Sequence, residues 1–401
     1  MTAWLSIVGI GEDGLEALSP AARSAIDEAS LLIGGERHLA MVPVDGRKRK
    51  TWPSPLMKLV DEILARRGEK ICILATGDPM HFGIGVTFAK RLPAEEMAIF
   101  PALSAFSLAA GRLGWELSRT AQITLHGRPH ELLIPHLAPN ANIIALSDSG
   151  RTPGDVAQLL LSLSLETTDM TVLEHMGGPE EKIITGKPAD VAGIAFKDFN
   201  TIALKCPPTV SSAIFPTAPG LPDDAFYHDG QLTKREIRSA TLSALAPFPG
   251  ELLWDVGSGS GSIAIEWMRS HPANRAIAIE PRDDRLSLIQ ENSVKLGVPQ
   301  LNIIEGRAPE VLAGLDAPDA IFIGGGLSHA GMFDTCWSSL KPGGRLVINA
   351  VTMEGEQQLF HAHETHGGTL TRLNISRAEK IGGYTSWKPF RQVTQFKLVK
   401  E

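Results

Sequence analysis

The sequence has few of the residues from which disulfide-rich and metal-binding proteins are built. Its three cysteines, Cys72, Cys206 and Cys336, lie far apart and form no C-x-x-C pair, which argues against a disulfide framework or a zinc site. The three histidines within residues 360–366 lack H-E-x-x-H spacing, and we interpret them as part of a solvated helix end.

Long apolar runs and an excess of positive charge are also missing. No apolar stretch approaches the roughly 20 residues that span a bilayer. The first residues have no basic flank, so we expect no signal peptide, no membrane partner and a cytoplasmic protein. The net charge of −7 gives no general attraction to nucleic acid, so a local cluster of Arg and Lys must meet any anionic substrate. We also expect a homo-oligomer.

The chain does have length and an ordinary globular composition. Its 401 residues, 43% hydrophobic and 21% charged, predict two or three domains. Five prolines between residues 206 and 223 predict an interdomain linker over 207–224. The linker divides the chain into domains 1–206 and 225–401.

Residues 252–264 contain the most informative motif. An apolar run ends at Asp255, and Gly257, Gly259 and Gly261 follow at every second position before a helical pattern begins. This order predicts a strand, a tight glycine turn and a helix whose first N–H groups face a ligand. Glu280 closes the next apolar run, about 20 residues after the loop, where an acid binds ribose hydroxyls.

The glycine spacing separates two cofactor classes. The dinucleotide pattern G-x-G-x-x-G requires a third glycine where this chain has Ser262. The observed D-x-G-x-G-x-G resembles the first motif of class I methyltransferases that use S-adenosylmethionine (SAM). Glu280 suits a ribose in either cofactor, so a nicotinamide-dependent dehydrogenase remains an alternative.

Two further turns in this half follow predicted strands. Gly306, Arg307 and Ala308 follow the strand over 301–304, and three glycines beginning at Gly324 follow the next strand. Glycine at a strand end allows close approach of a ligand. Class I enzymes often have an acid near the adenine ring where this chain has Arg307, so we expect backbone contacts there. Residues 396–399 are expected to form a closing antiparallel strand.

The second half resembles the decarboxylating methyltransferase domain of cobalamin synthesis. The matching stretches are G-Q-L-T-K-R-E, L-W-D-V-G-S-G-S-G-S-I-A-I-E, G-R-A-P-E, F-I-G-G-G and L-V-I-N-A-V-T. The resemblance implies a Rossmann-like class I fold that binds SAM through Asp255, the three glycine-containing turns and Glu280. We expect Lys234 and Arg238 to bind substrate carboxylates and His329 to handle a proton.

The first half also places glycine loops after predicted strands. The strand over 4–10 contains Gly9 and leads to Gly11, and the strand over 70–75 delivers Gly77, Asp78 and a proline to a loop. In open α/β sheets, ligands bind outside the carboxyl ends of strands. Gly77 permits close approach, and Asp78 can accept hydrogen bonds.

These loops resemble those of the tetrapyrrole methylase family, the methyltransferases of corrin and sirohaem synthesis. Three further stretches share the resemblance: P-A-L-S-A at 101–105, L-H-G-R at 125–128 and L-E-H-M-G-G-P-E-E at 173–181. The resemblance implies an α/β fold of two lobes, about 1–110 and 111–206, with SAM in the cleft between them. The SAM contacts that it implies are Gly9, Gly11, Gly77, Asp78, Ala102, Leu103, Ser104 and Met176. Residues 12 and 13 depart from the family's G-x-G-P-G loop.

The two resemblances together imply an enzyme that acts on one small molecule, a precorrin. The first half would methylate C5, and the second would methylate C15 and remove CO₂ from the C12 acetate, with one SAM site in each half. The meso carbons are already nucleophilic, so alignment and desolvation are the main tasks of the enzyme.

A class I methyltransferase acting on RNA is disfavoured by the net charge of −7. A non-catalytic tetrapyrrole carrier is a further alternative.

Overall fold

The computed structural model describes residues 3–401, so the first two residues of the domain predicted over 1–206 lie outside it. The chain divides into two compact units. Of the described residues, unit 1 comprises 3–130 and Pro139–Ser211, and unit 2 comprises Glu131–Ala138 and Ser212–Glu401.

The first sheet of unit 1 is parallel and has the order β3-β2-β4-β1-β5. Its strands are β1 (Leu5–Ile10), β2 (Leu31–Gly34), β3 (Lys48–Thr51), β4 (Ile71–Thr76) and β5 (Met97–Phe100). The accompanying helices are α1 (Pro20–Asp27), α2 (Glu36–Met41), α3 (Met57–Leu64) and α4 (Ile84–Ala89). Alternate residues of β4 enter two different cores, one with α1 and α2 and the other with α3 and α4. Burial on both faces explains why residues 71–75 of this strand are all apolar.

The second sheet of unit 1 is mixed and has the order β6-β7-β10-β8-β9, in which only β6 and β7 pair in parallel. Its strands are β6 (Thr120–Thr124), β7 (Asn142–Leu146), β8 (Asp169–Glu174), β9 (Lys182–Gly186) and β10 (Asn200–Lys205). The helices are α5 (Ala105–Leu113), α6 (Thr152–Ser162) and α7 (Pro188–Val191). Phe106 and Ala109 of α5 pack against β7 and β10, so α5 covers this sheet.

Unit 2 contains a seven-stranded sheet of order β13-β12-β11-β14-β15-β19-β16. The strands of unit 2 are β11 (Leu252–Val256), β12 (Arg275–Glu280), β13 (Asn302–Glu305), β14 (Ala320–Ile323), β15 (Arg345–Ala350), β16 (Thr369–Leu373), the hairpin β17 (Ser376–Ile381) and β18 (Tyr384–Pro389), and β19 (Val393–Val399). Its helices are α8 (Arg235–Leu245), α9 (Ser262–Ser270), α10 (Asp283–Lys295), α11 (Met332–Ser339) and α12 (Met353–His366). The expected closing strand is confirmed, since β19 pairs antiparallel with β15.

The strand order of unit 2 reverses direction beside β11. The chain runs outward through β12 and β13 and then returns to β14 on the other side of β11. Such a switch point opens a crevice at the carboxyl ends of the strands. Among residues 3–401, no helix is long and apolar enough to cross a membrane, and no cluster of His, Cys, Asp and Glu could hold a metal ion.

Candidate active-site cavities

A cavity of about 750 Å³ lies in unit 2 at the loops that follow β11, β12 and β14. The loop after β11 has Gly257, Gly259 and Gly261 at φ of 72°, 62° and 79°, a region that favours glycine. A Cβ at Gly257 would lie 3.0 Å from the backbone nitrogen of Gly325, so a larger residue would press two cavity loops apart. Gly257 and Gly259 line the cavity.

Glu280 lines the same cavity at the end of β12 and is only 2% exposed. Its Oε2 accepts a hydrogen bond of 2.9 Å from the Gly259 amide. The carboxylate therefore holds the glycine loop and also reaches the space where a ribose was predicted.

Asp255 and Gly261 do not line the cavity, although cofactor contacts were predicted for both. Asp255 Oδ2 accepts hydrogen bonds from Ser258 Oγ at 2.7 Å and from the Ala264 amide at 3.1 Å. Burial raises the pKa of the Asp255 carboxyl to about 6. A Cβ at Gly261 would lie 3.0 Å from Ile289 Cγ2. Asp255 therefore holds the loop by hydrogen bonds within the protein. The absence of a side chain at Gly261 lets α9 lie close to Ile289 of α10.

The remaining predicted turns of unit 2 do reach the cavity. Gly306, Arg307 and Ala308 line it after β13, and Gly324 lines it after β14. His329 also lines it, and within residues 3–401 its buried Nδ1 has no hydrogen-bond partner. A buried ring nitrogen without a partner in the protein is suited to contact a ligand.

The cavity of unit 2 is bordered by several cations. Lys234, Arg307 and Arg391 line it and make no ion pair or side-chain hydrogen bond with any described residue. Arg282 and Arg285 line it too, but both are near the carboxylate of Asp229. Arg391 was missed by sequence reasoning because it lies in no recognisable motif and reaches the cavity from the turn between β18 and β19.

Arg238 does not have the predicted role. Its side chain is fully buried, and it donates hydrogen bonds to Glu266 and to the backbone oxygens of Thr233 and Leu221. It does not line the cavity. The expectation that Arg238 binds a substrate carboxylate was wrong, because its donors are used inside the protein.

A second cavity, of about 540 Å³, lies within unit 1. Six of the residues for which the resemblance implies SAM contacts line it: Gly11, Gly77, Asp78, Leu103, Ser104 and Met176. Asp78 Oδ1 accepts a hydrogen bond of 2.8 Å from the Met80 amide, which fixes the turn after β4. Ser104 Oγ accepts one of 3.1 Å from the Ser107 amide and begins α5.

Gly9 and Ala102 do not line this cavity, but both contact the backbone of Gly77, which does. The Ala102 amide donates to the Gly77 carbonyl oxygen at 3.1 Å, and the Gly77 amide donates to Ile10 at 3.2 Å. A Cβ at Gly9 would lie 1.8 Å from the same Gly77 oxygen. Only glycine at position 9 therefore allows these three backbone segments to meet.

Sequence reasoning missed an ionic network on this cavity. Glu12 and His175 both line it, and Glu12 Oε2 lies 2.9 Å from His175 Nδ1. Arg37 donates a hydrogen bond to Glu12 Oε1 and stacks 4.0 Å above the Phe199 ring. The only sequence signal was the acid at position 12, where the tetrapyrrole methylase loop usually has another residue.

Two α/β units, each with a glycine-walled cavity beside parallel strands, define the chain as a two-domain methyltransferase. Residues 5–192 match the Tetrapyrrole (Corrin/Porphyrin) Methylases, and residues 224–400 match the Precorrin methyltransferase domain. The whole chain is 46% identical to a precorrin-6Y C(5,15)-methyltransferase [decarboxylating] of Sinorhizobium sp, of which it covers 97%. The chain belongs to the precorrin-6Y C(5,15)-methyltransferase (decarboxylating) family.

Two other relatives agree with this assignment. A protein of the same name from Mycobacterium tuberculosis (strain CDC 1551 / Oshkosh) is 37% identical over 98% of this chain and 99% of its own. A cobalt-precorrin-7 C(5)-methyltransferase of Salmonella typhimurium is 31% identical over 45% of this chain and 88% of its own. Both family resemblances inferred from the sequence, and the expected fold class, are confirmed.

Proposed function

We propose that the protein transfers methyl groups to C5 and C15 of a precorrin and removes CO₂ from its C12 acetate. Unit 1 performs the transfer to C5, and unit 2 performs the transfer to C15 and the decarboxylation. The observation that carries this proposal is that each unit has its own glycine-walled cavity, of about 540 and 750 Å³. Cavities of this size suit small-molecule ligands.

The residues of both cavities fit SAM, which supplies an electrophilic methyl group on a sulfonium when bound. In unit 2, the Glu280 carboxylate is placed to accept hydrogen bonds from ribose hydroxyls, while Gly257 lets the backbone approach the ligand closely. In unit 1, Asp78 and Ser104 offer oxygens, and the side chain of Met176 offers an apolar surface. The donor therefore has two sites, one in each unit.

The unpaired cations of unit 2 are suited to hold the substrate. A precorrin carries several acetate and propionate arms around an electron-rich ring. Lys234, Arg307 and Arg391 can each bind a carboxylate through charge-assisted hydrogen bonds. Holding these arms aligns a meso carbon for the transfer, which is the main contribution the protein must make.

Decarboxylation needs an electron sink and a proton. When the bond to CO₂ breaks, its electron pair passes into the protonated macrocycle. The pair then returns to the remaining carbon and forms the bond to one proton, which makes that carbon a methyl group. His329 is our candidate for the residue that donates this proton, because its Nδ1 is buried beside the cavity without a hydrogen-bond partner among the described residues.

The test uses the full-length chain. Calorimetric titration with S-adenosylhomocysteine should give two bound molecules per chain. Incubation with SAM and the precorrin should give a product with two added methyl groups and one carboxyl group fewer by mass spectrometry. Binding of one molecule per chain, or NAD bound in its place, would contradict the proposal.

A further inference from the structure

The proposed transfer to C5 produces one proton for each methyl group. The π electrons of the ring carbon form the new bond to the methyl group, and the donor sulfur keeps the electron pair of the bond that breaks. The same carbon then loses its hydrogen as a proton, and the electron pair of that C–H bond returns to the macrocycle. A base in the cavity of unit 1 would take this proton.

His175 has the geometry of an oriented base. Its Nδ1 lies 2.9 Å from Glu12 Oε2, and the two side chains are 20% and 11% exposed. Because a carboxylate accepts hydrogen bonds, the neutral form of the His175 ring carries its proton on Nδ1, which leaves the lone pair of Nε2 free. No residue among 3–401 makes a hydrogen bond to that Nε2. The charge of Glu12 is balanced by Arg37, so the pair can be held together away from water.

The backbone at His175 is also unusual. Its φ of 47° is one that residues other than glycine seldom adopt. Hydrogen bonds of 3.1 Å to the Phe199 carbonyl and 3.0 Å from the Gly178 amide hold the residue in this conformation. Such strained positions cluster at functional sites, where the surroundings enforce a required side-chain direction.

The three other histidines that line this cavity are less suited to the task. His38 Nε2 is occupied by Arg37 and Thr76, and burial together with Arg37 lowers the pKa of His38 to about 4. His81 stacks on Phe106 and has no carboxylate partner among the described residues. His126 does approach a carboxylate, that of Asp148 at 3.1 Å, but its side chain is 74% exposed to water.

We propose that His175, oriented by Glu12, accepts the proton released from C5 in unit 1. This inference rests on the proposed function and adds to it a residue that performs one step. The proton moves from the ring carbon to His175 Nε2, and the resulting imidazolium is stabilised by the Glu12 carboxylate. Arg37 contributes by positioning Glu12.

The kinetic test uses His175→Asn in the full-length chain, because asparagine tolerates a positive φ. Methylation at C5 should slow about 100-fold or more, with unchanged affinity for S-adenosylhomocysteine. The product should carry one added methyl group and still lose CO₂, since unit 2 is untouched. His126→Asn should slow the C5 step far less. A full C5 rate in His175→Asn, or a greater loss in His126→Asn, would overturn the inference.

Two further measurements separate a base from a structural residue. His175→Gly suits the backbone and opens space, so added imidazole should restore C5 methylation in this variant; failure of rescue in a folded, donor-binding variant contradicts the inference. Independently of activity, ¹⁵N NMR of the histidine rings should show His175 protonated on Nδ1, and a proton on Nε2 would contradict it. If the unaltered chain gains no methyl group at C5, the proposed function itself fails instead.

Discussion

Glu280 and Gly259 are joined by a 2.9 Å hydrogen bond from the Gly259 amide to the carboxylate at the end of β12. One carboxylate thus fixes the glycine loop and faces the cavity of unit 2. Under the proposed function, the same group would shape the donor site and bind the donor, which makes Glu280 the most direct probe of that proposal.

Glu280→Gln should weaken donor binding in unit 2 alone. Hydrogen bonds to a charged group contribute about 1.5–3 kcal/mol, so the affinity for S-adenosylhomocysteine should fall about 10- to 100-fold. Calorimetry should show one site weakened and the site of unit 1 unchanged. Glu305→Gln is the matched control, because Glu305 aligns with Glu280 on β13 but is exposed and outside the cavity. Equal effects of the two substitutions would remove Glu280 from the donor site.

The raised pKa of Asp255 predicts that the stability of unit 2 depends on pH. Burial raises the pKa of its carboxyl from 3.8 to about 6, and repulsion from Glu280 adds to this rise. The folded state keeps the proton where the unfolded chain has lost it, so the contribution of Asp255 to stability falls as pH rises from about 4 to about 6.

Asp255→Asn cannot ionise and should lack this dependence. The unfolding free energy of the original chain, relative to the variant, should decrease by about 2–3 kcal/mol between pH 4 and pH 7. Urea denaturation at the two pH values measures the difference. A constant difference would mean that the folded state does not retain the proton.

The locally encoded parts of the fold could be predicted from the sequence. The glycines at 257, 259 and 261 predict a turn between a strand and a helix, and β11 and α9 flank that turn in the structure. The prediction succeeded because strand, turn and helix are specified within 20 residues. The cavity-lining positions of Gly257 and Glu280 follow from where the carboxyl ends of parallel strands meet.

The incorrect and missing assignments depend on contacts between distant segments. Whether Arg238 faces a ligand or the interior is decided by Glu266 on a different helix, and the sequence near Arg238 contains no sign of this partner. Glu12 and His175 lie 163 positions apart, so no local pattern links them. Asp255 occupies its predicted strand end, but only the packing of α9 shows that its side chain points into the protein.

Arg238→Met should destabilise unit 2 without altering substrate recognition. The substitution leaves Glu266 buried without its cation, and breaking a buried ion pair typically costs about 3–5 kcal/mol. Denaturant unfolding should show this loss, whereas Arg235→Met, at an exposed position on the same helix, should change stability by less than about 0.5 kcal/mol. Unchanged stability with a raised KM for the precorrin would return Arg238 to the binding site.

Lys234→Ala and Arg391→Ala should weaken substrate binding without altering the stability of unit 2. Both cations line the cavity without a partner among the described residues, so their loss should leave stability unchanged and raise the KM for the precorrin. An exposed charge pair contributes about 0.2–1 kcal/mol, which predicts a rise of up to about fivefold for each, smaller at high salt. Arg235→Ala removes a neighbouring charge outside the cavity and is the control. A KM that responds equally to all three substitutions would indicate a general charge effect.

Gly9→Ala tests whether the close backbone approach in unit 1 is required for donor binding. The added Cβ would lie 1.8 Å from the Gly77 carbonyl oxygen, so the loop after β4 must move. Calorimetry should then detect one molecule of S-adenosylhomocysteine per chain, and the product should lack the C5 methyl group but still lose CO₂. Gly111→Ala is the control, because a Cβ there meets no atom within 4 Å beyond its chain neighbours and the backbone of its own helix, and alanine favours the helix. Two bound molecules in Gly9→Ala would show that the donor of unit 1 does not depend on the Gly77 loop.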